Sequence, residues 1–425
     1  MQETLSHYFG YKSFRPGQEE IITKILNHQH TLGVLPTGGG KSICYQVPGL
    51  MQGGTTIVIS PLISLMKDQV DQLQAMGIQA AYLNSSLTHK QQKEIEEQIK
   101  RGAIQFLYVA PERFENTFFL NLLRKIEIPL IAFDEAHCIS KWGHDFRPSY
   151  QSVIQKVFTL PQNFTIVALT ATATAEVQQD IMSKLSIGQN DVVKTSTKRR
   201  NLIFKVNPTY QRQKFVVDYV ANHEGQAGII YCSTRKQVEE LHEALNSEKI
   251  KSTIYHAGLT NKERIEAQND FLYDRVEVVI ATNAFGMGID KSNVRYVIHY
   301  NMPGDLESYY QEAGRAGRDG LKSECILLFS ERDKGLHEYF ITVSQADDDY
   351  KDKMGEKLTK MIQYTKTKKC LEATIVHYFE PNENLEECNQ CSNCIQENKT
   401  YDMTREAKMI ISCIARMKQQ ENYSV

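Results

Sequence analysis

The sequence predicts an α/β protein in which two parallel-sheet lobes precede a small helical module. Short apolar runs alternate with helix-length segments, an arrangement typical of parallel sheets. The alternation occurs in two successive series and stops after about residue 332. A chain of 425 residues with 41% hydrophobic content is too long for a single core, so two or three domains are expected.

The predicted strands are runs short and apolar enough to be buried in a parallel sheet. They are residues 32–35, 56–59, 105–109, 130–133 and 165–169 in the first series, and 227–231, 252–255, 276–280, 295–299 and 324–328 in the second. Between the series, residues 194–201 are polar and basic and form the predicted linker. We therefore expect lobes at residues 1–198 and 199–332 and a helical module at residues 333–397.

The first predicted strand leads into a glycine-rich phosphate-binding segment made of Thr37, Gly38, Gly39, Gly40, Lys41 and Ser42. Successive glycines let backbone N–H groups converge on an anionic phosphate. Lys41 supplies a positive charge to the outer phosphates and Ser42 offers a hydroxyl to Mg²⁺. A helix beginning at Ile43 would place the phosphates at its N-terminus, where the helix dipole favours anions.

Two carboxylates, Asp134 and Glu135, follow the fourth predicted strand. Open α/β sheets bind ligands at the carboxyl edge of their strands, so Asp134 is expected to hold Mg²⁺ and Glu135 to orient or deprotonate the attacking water. The alternative is a capping turn with two exposed acids. The phosphate-binding segment about ninety residues earlier favours a site that hydrolyses ATP.

Only the first lobe carries a phosphate-binding segment, and the second lobe ends in an arginine-rich stretch. A helix here would place Gln311, Arg315 and Arg318 on one face, and Gly314 and Gly317 would permit close approach. Two neighbouring guanidinium groups favour the binding of a polyanion. This face is therefore predicted to present an arginine finger to the γ-phosphate. A solvated helix face is the alternative.

Four of the nine cysteines are concentrated near the C-terminus: Cys370, Cys388, Cys391 and Cys394. The last three form two overlapping C-x₂-C pairs, and an apolar helix at residues 371–379 would carry Cys370 back to them. This pattern predicts a four-thiolate structural Zn²⁺ site. A disulfide pair or an iron–sulfur cluster are the alternatives.

Net charge and hydropathy restrict the possible classes of protein only weakly. A formal net charge of −2 neither supports nor excludes binding to DNA, because a local basic channel can exist on a neutral protein. No apolar run is long enough to cross a membrane, and the N-terminus lacks a basic region followed by an apolar stretch. We therefore expect an intracellular, cytoplasmic protein with no membrane partner.

Together with five further motifs, these segments resemble superfamily 2 helicases, and RecQ-type DNA helicases in particular. The further motifs are residues 14–18, 60–69, 168–173, 255–259 and 281–290. The resemblance to RecQ rests on residues 138–148, which continue the acidic motif, and on the cysteines after the second lobe. It implies two RecA-like lobes, ATP, Mg²⁺ and Zn²⁺ as cofactors, and 3′ to 5′ movement on single-stranded DNA.

The resemblance also implies unwinding of duplex or branched DNA in recombination and repair, close to the nucleoid. A monomer is expected, with single-strand-binding protein as a partner. By the same resemblance, four further positions are expected along the cleft or the strand path: His256, Thr282, Asn283 and Asp290.

Residues 138–148 resemble the aromatic-rich loop that couples DNA binding to hydrolysis in this family. The predicted coupling residues are Trp142, the only tryptophan of the chain, with His144, Phe146 and Arg147. Aromatic rings and a cation are what stack on unpaired bases. The alternative is a core tryptophan with a buried phenylalanine, but the surrounding polar residues, glycine and proline favour an exposed loop.

By the same resemblance, Tyr11, Arg15 and Gln18 are expected to form the adenine pocket. The tyrosine ring would stack on the base. The glutamine amide can pair with the N6 amine and N7 of adenine, which would give a preference for ATP over GTP.

One departure from the family is that RecQ proteins usually continue into a winged-helix domain. Residues 406–417 form a predicted amphipathic helix with Met409, Ile410, Cys413, Ile414 and Met417 on one side. We therefore expect residues 398–425 to be the start of a truncated winged-helix domain, with reduced duplex affinity. An RNA-directed ATPase and an ATP-switched binding or annealing module are the alternative functions.

Overall fold

The structure is a computed structural model that describes residues 1–61, 63–143, 145–285, 291–395 and 404–419. His144 and Asp290, two positions singled out from the sequence, lie outside the described residues. The fold contains two parallel β-sheets, each enclosed by helices on both faces. A helical module follows the second sheet. The predicted α/β class is therefore confirmed.

The first sheet has seven strands in the order β3-β4-β2-β5-β6-β1-β7. In chain order they are β1 Thr31–Val34, β2 Thr56–Ile59, β3 Ala80–Leu83, β4 Phe106–Val109, β5 Leu130–Phe133, β6 Thr165–Thr170 and β7 Val192–Lys194. The helices of this lobe are α1 Gln2–Phe9, α2 Gln18–Leu26, α3 Ile43–Gln52, α4 Ile63–Ala75, α5 His89–Lys100, α6 Thr117–Leu123, α7 Pro148–Val157 and α8 Ala175–Leu185. The described strand pairings are all parallel.

The second sheet has six strands in the order β10-β11-β9-β12-β13-β8. They are β8 Leu202–Pro208, β9 Ala227–Tyr231, β10 Ser252–Tyr255, β11 Val278–Ala281, β12 Val294–His299 and β13 Ser323–Phe329. Its helices are α9 Arg212–Ala221, α10 Arg235–Ser247, α11 Asn261–Leu272 and α12 Leu306–Ala313. In the part of the chain that the structure describes, five helices follow this sheet: α13 Glu331–Val343, α14 Asp348–Lys366, α15 Leu371–Phe379, α16 Ser392–Ile395 and α17 Thr404–Gln419.

Side-chain caps fix where several helices begin after a strand. Thr174 accepts from the backbone N–H of Val177 at the start of α8, and Thr234 caps α10 in the same way. Such caps satisfy N–H groups that have no partner within the helix. The loops between strand and helix are thereby held at the carboxyl edge of each sheet, where ligands bind in open α/β sheets.

The ten predicted strands are present to within two residues at each end, but β3, β7 and β8 were missed. All three lie at a sheet edge. The residues of β8 alternate between buried and half-buried at its start, and β7 has three residues with one exposed. The three residues of β7 are too few to form a recognisable apolar run, and Lys205 and Asn207 interrupt the run of β8, whereas β3 is apolar and mostly buried and its omission has no such reason.

The predicted arginine-bearing helix is shorter than expected, and this prediction was wrong in part. Helix α12 ends at Ala313, so Gln311 lies on it but Arg315 and Arg318 lie in the turns that follow. Gly317 has φ 58°, a left-handed conformation that a continuing helix cannot contain. Gly317 therefore prevents the helix from continuing to Arg318, whereas Gly314 keeps a helical φ of −64°.

Helix α17 covers the predicted amphipathic segment, and its apolar side chains Met409, Ile410, Ile411 and Ile414 are exposed. Within the described residues, each helix is too short or too polar to cross a membrane.

Candidate active site and metal centre

The phosphate-binding segment connects β1 to α3 at the carboxyl edge of the first sheet. Gly38 and Gly40 have φ angles of 79° and 72°, which side chains with a Cβ rarely adopt. These turns allow the backbone to curl ahead of α3, whose first residue is Ile43. Lys41 and Ser42 therefore stand at a helix N-terminus and line a cleft of about 410 Å³.

Side chains from before the segment bind its carbonyl groups. The Gln18 amide nitrogen donates to the carbonyls of Gly39 and Gly40 at 3.1 and 2.9 Å, while its oxygen accepts from the Arg15 N–H at 2.8 Å. The Arg15 guanidinium donates to the carbonyl of Gly38. Gln18 is 3% exposed, so both ends of its amide are engaged within the protein. Its predicted contact with the adenine edge stays a prediction.

Tyr11 lines the same cleft and is 52% exposed. An exposed ring at the mouth of a nucleotide cleft offers a flat face for a base.

Asp134 and Glu135 follow β5 and line the same cleft. The Asp134 N–H donates to the Ile59 carbonyl at 2.9 Å, which extends the sheet by one residue. Burial, and secondarily the Glu135 carboxylate, raises the pKa of Asp134 to about 7, whereas Lys41 opposes the rise. A divalent cation beside Asp134 would favour its ionised form.

Glu135 has a strained backbone and a defined neighbour. Its φ of 48° is in the left-handed region, which costs about 1–3 kcal/mol for a residue other than glycine. Its carboxylate lies 3.3 Å from Nδ1 of His137. The same nitrogen lies 3.0 Å from the hydroxyl of Thr170, at the end of β6. His137 thus connects the acidic motif to the adjacent strand.

The second lobe closes the cleft. Gln311, Arg315 and Arg318 line it together with Lys41 and Asp134. Two glycines also lie close to side chains of the other lobe: a Cβ added to Gly314 would lie 3.1 Å from the Thr37 hydroxyl, and one added to Gly38 would lie 3.4 Å from Arg318 Cγ. The loss of the helix after Ala313 therefore did not prevent the three predicted residues from converging on the phosphate-binding segment.

Sequence reasoning missed Arg199, which lies in the predicted linker. Its guanidinium donates to the Thr37 carbonyl at 2.8 Å and to the carbonyls of Ala316 and Gly317 at 3.2 and 3.0 Å. One side chain therefore joins the phosphate-binding segment to the arginine-bearing turns. Its only sequence signal was a basic linker, which does not identify a partner.

The aromatic-rich loop is folded back on the first lobe. Trp142 is half-buried and packs against the core of that lobe, and Phe146 is also half-buried. The Arg147 guanidinium donates to Asp145 at 3.0 and 3.1 Å and to the Pro61 carbonyl at 2.9 Å. The expectation of an exposed loop was therefore too simple, because the loop forms contacts of its own.

The loop is joined to the acidic motif by backbone hydrogen bonds. The N–H of Cys138 donates to the carbonyl of Glu135 at 2.9 Å, and the N–H of Arg147 donates to the carbonyl of Cys138 at 3.1 Å. A displacement of the loop would therefore also move the backbone of Glu135.

The four clustered cysteines converge as predicted. Their sulfur atoms all lie within 4.8 Å of one another, with Cys370 and Cys391 3.9 Å apart and Cys388 and Cys394 4.0 Å apart. A tetrahedral zinc site with Zn–S bonds of about 2.3 Å separates its sulfurs by about 3.8 Å. All nine cysteines of the chain are free thiols, so the disulfide alternative is wrong.

Backbone groups support the sulfurs. The N–H groups of Leu371 and Ala373, in the first turn of α15, donate to the sulfurs of Cys391 and Cys370, both at 3.4 Å. Such donors favour the thiolate form that metals bind. The residues therefore fit Zn²⁺.

Comparison with known proteins agrees with this geometry. The family model for DEAD/DEAH box helicases matches residues 15–181, the helicase conserved C-terminal domain matches residues 211–320, and the RecQ zinc-binding family matches residues 331–395. The fold and cleft thus define an ATP-dependent helicase core with two RecA-like lobes.

Relatives identify the family more narrowly. The chain is 48% identical to the ATP-dependent DNA helicase RecQ of Bacillus subtilis, over 99% of this chain and 71% of that protein. It is 42% identical to the RecQ helicase of Haemophilus influenzae, over 98% of this chain and 67% of that protein. The chain belongs to the RecQ family of ATP-dependent DNA helicases.

Solved structures share the fold at low sequence identity. S. cerevisiae Dbp5 bound to RNA and ADP BeF3 superposes with a TM-score of 0.65 at 18% identity, covering 84% of this chain and 97% of that chain. Mycobacterium smegmatis Lhr bound to ssDNA and AMP-PNP superposes with a TM-score of 0.64 at 17% identity, covering 86% of this chain and 57% of that chain.

Proposed function

We propose that this chain is a DNA-stimulated ATPase motor that moves 3′ to 5′ along single-stranded DNA and unwinds duplex or branched DNA in recombination and repair. The observation that carries this proposal is the single cleft in which Lys41, Asp134 and Glu135 of the first lobe face Arg315 and Arg318 of the second. A site shared between two lobes ties its chemistry to their relative movement.

Each residue has a proposed role in hydrolysis. The backbone N–H groups of the glycine-rich segment and Lys41 bind the phosphates, and Glu135 orients the attacking water and accepts its proton. Gln311 positions the reacting groups, while Arg315 and Arg318 neutralise charge that develops on the transferred phosphoryl group. Ser42 and Asp134 would hold Mg²⁺, which when bound screens the charge of the outer phosphates.

The aromatic-rich loop is the proposed sensor of DNA. Trp142 and Phe146 offer faces for unpaired bases, Arg147 supplies a positive charge in the same loop, and His144 is the fourth proposed coupling residue. Base stacking does not read sequence, so many sequences should stimulate hydrolysis. We further propose the domain limits 1–198, 199–332 and 333–397, with residues 398–425 opening a winged-helix domain. The proposed setting is a monomer on chromosomal DNA with single-strand-binding protein as a partner.

The test is the steady-state rate of ATP hydrolysis without nucleic acid, with single-stranded DNA and with single-stranded RNA of the same sequence. A large rise with DNA but not with RNA supports the proposal. Duplexes with a 3′ or a 5′ single-stranded tail then test direction, and only the 3′ tail should permit unwinding. A rate unmoved by either polymer contradicts the coupling role of the loop.

A second candidate is an RNA-directed ATPase, because Dbp5, which has the same fold, was solved bound to RNA. Stacking on aromatic rings tolerates both sugars. Equal stimulation by RNA and DNA in the same assay would favour this candidate. Hydrolysis of about one ATP per chain, without continued turnover, would instead favour an ATP-switched annealing module.

A further inference from the structure

Helix α14 lies where the two lobes and the aromatic-rich loop meet. Its Lys353 pairs with Glu176 of α8 at 2.8 Å, and Asp347, which caps α14, pairs with Lys141 of the loop at 2.7 Å. These side chains are partly exposed, so their pairs contribute little. The centre of the junction is different because it is buried.

Lys357 occupies that centre. Its ammonium donates to the Trp142 carbonyl at 2.8 Å and forms an ion pair with the Glu307 carboxylate at 2.9 Å. The Lys357 and Glu307 side chains are only 6% and 3% exposed. Charges removed from water to this degree are stable only while paired, so removing one partner leaves an uncompensated buried charge.

Glu307 belongs to the same helix as a residue of the nucleotide cleft. It lies in the first turn of α12, and Gln311 follows one turn later on the same side. The helix is short and its start is fixed, because the Asp305 carboxylate accepts from the Ser308 N–H at 2.7 Å. A shift of Glu307 is therefore transmitted to Gln311 as movement of a rigid unit.

We propose that Lys357 is a positioning residue that couples single-stranded DNA on the aromatic-rich loop to the nucleotide cleft through Glu307 and α12. This inference rests on the proposed function, because it takes the loop to be the DNA sensor. It adds a second route to the backbone connection between the loop and Glu135. When bases displace Trp142, the loop and α12 must move together to keep the buried ammonium paired.

Coupling of this kind is reciprocal. Bound DNA should change the cleft, and bound nucleotide should change the surroundings of Trp142. Trp142 is the only tryptophan of the chain, so intrinsic fluorescence reports on the loop without a label.

The experiment compares the full chain with the Lys357→Met variant and with a Lys360→Met control. Lys360 is on the same helix but exposed, 5.4 Å over the Tyr378 ring. Three quantities are measured: the ATPase kcat with and without saturating single-stranded DNA, the quenching of Trp142 fluorescence by DNA, and its change on adding a nonhydrolysable ATP analogue.

For Lys357→Met we expect unstimulated hydrolysis and DNA quenching close to those of the parent, and a stimulated kcat about tenfold lower, within the usual range of coupling between sites. The fluorescence response to the ATP analogue should disappear. Lys360→Met should retain all three properties. An undiminished stimulated kcat together with an intact analogue response in Lys357→Met overturns the inference.

Two further variants guard against misfolding. Glu307→Gln removes the charge while keeping the shape, and Lys357→Met combined with Glu307→Leu replaces the buried pair by apolar groups, which is often neutral for stability. The double variant should repeat the loss of coupling with a parental melting temperature. Glu307→Gln should repeat it with a lower melting temperature, because the buried Lys357 ammonium then lacks its counter-charge. If DNA stimulates the parent without changing Trp142 fluorescence, the proposed role of the loop fails instead.

Discussion

Nδ1 of His137 lies 3.0 Å from the Thr170 hydroxyl oxygen, so the acidic motif and the end of β6 form one hydrogen-bonded unit. The Thr170 hydroxyl donates to the Thr172 carbonyl at 3.1 Å. Its oxygen is then the acceptor toward His137, which assigns the ring proton to Nδ1. The ring is thereby held beside Glu135, the proposed base.

Replacing Thr170 by valine removes this hydroxyl and keeps the branched shape. We expect kcat for ATP hydrolysis to fall about tenfold, with a smaller change in KM, because a positioning contact acts mainly on the chemical step. Steady-state kinetics with saturating single-stranded DNA measures both constants. Thr165→Val, at the start of the same strand, is the matched control, and an equal loss there would indicate general damage to β6.

Substituting Arg318 by lysine tests the arginine-finger role. Lysine retains the charge but not the planar, forked donor geometry. We expect kcat to fall about 10³-fold, the lower range for losing an arginine finger, while an ATP analogue binds with an affinity within a few-fold of the parent. Arg275→Lys, on the surface of the same lobe, should be without effect. Parental turnover by Arg318→Lys would exclude the role.

Replacing Arg199 by glutamine should weaken nucleotide binding. The side chain joins the Thr37 carbonyl to those of Ala316 and Gly317, and a hydrogen bond to a charged group contributes about 1.5–3 kcal/mol. We expect KM for ATP to rise about tenfold, since the cleft is less often closed. Arg200→Gln, at the exposed neighbouring position, is the control. Unchanged ATP kinetics in both variants would limit Arg199 to a structural contact.

The cysteine cluster predicts one tightly bound Zn²⁺ per chain. Cys391→Ser should lower the zinc content measured by atomic absorption and lower the melting temperature, because binding of structural zinc contributes about 10–16 kcal/mol to folding. Cys413→Ser, on the exposed helix α17, should change neither quantity. Iron in place of zinc, with visible absorption, would favour the cluster alternative.

The sequence by itself determined the central strands, the phosphate-binding segment and the cysteine cluster. Each depends on residues close together in the chain: an apolar run, glycines before a helix, or thiols at fixed spacing. It also identified the catalytic candidates of both lobes, because Gln311, Arg315 and Arg318 retain their order whether or not one helix contains them. The edge strand β7 was missed because three residues are too few for a recognisable pattern, and β8 because Lys205 and Asn207 interrupt its apolar run.

Only the tertiary structure decided which side chains join the parts. In the tertiary structure the Gln18 amide binds the carbonyls of the phosphate-binding segment, α12 ends before Arg315, and Arg199 lies between the lobes. It also brought Lys357 to Trp142, 215 positions earlier in the chain. The physical reason is that a buried charge selects its partners by distance and desolvation, which depend on how the lobes pack and leave no local pattern in the sequence.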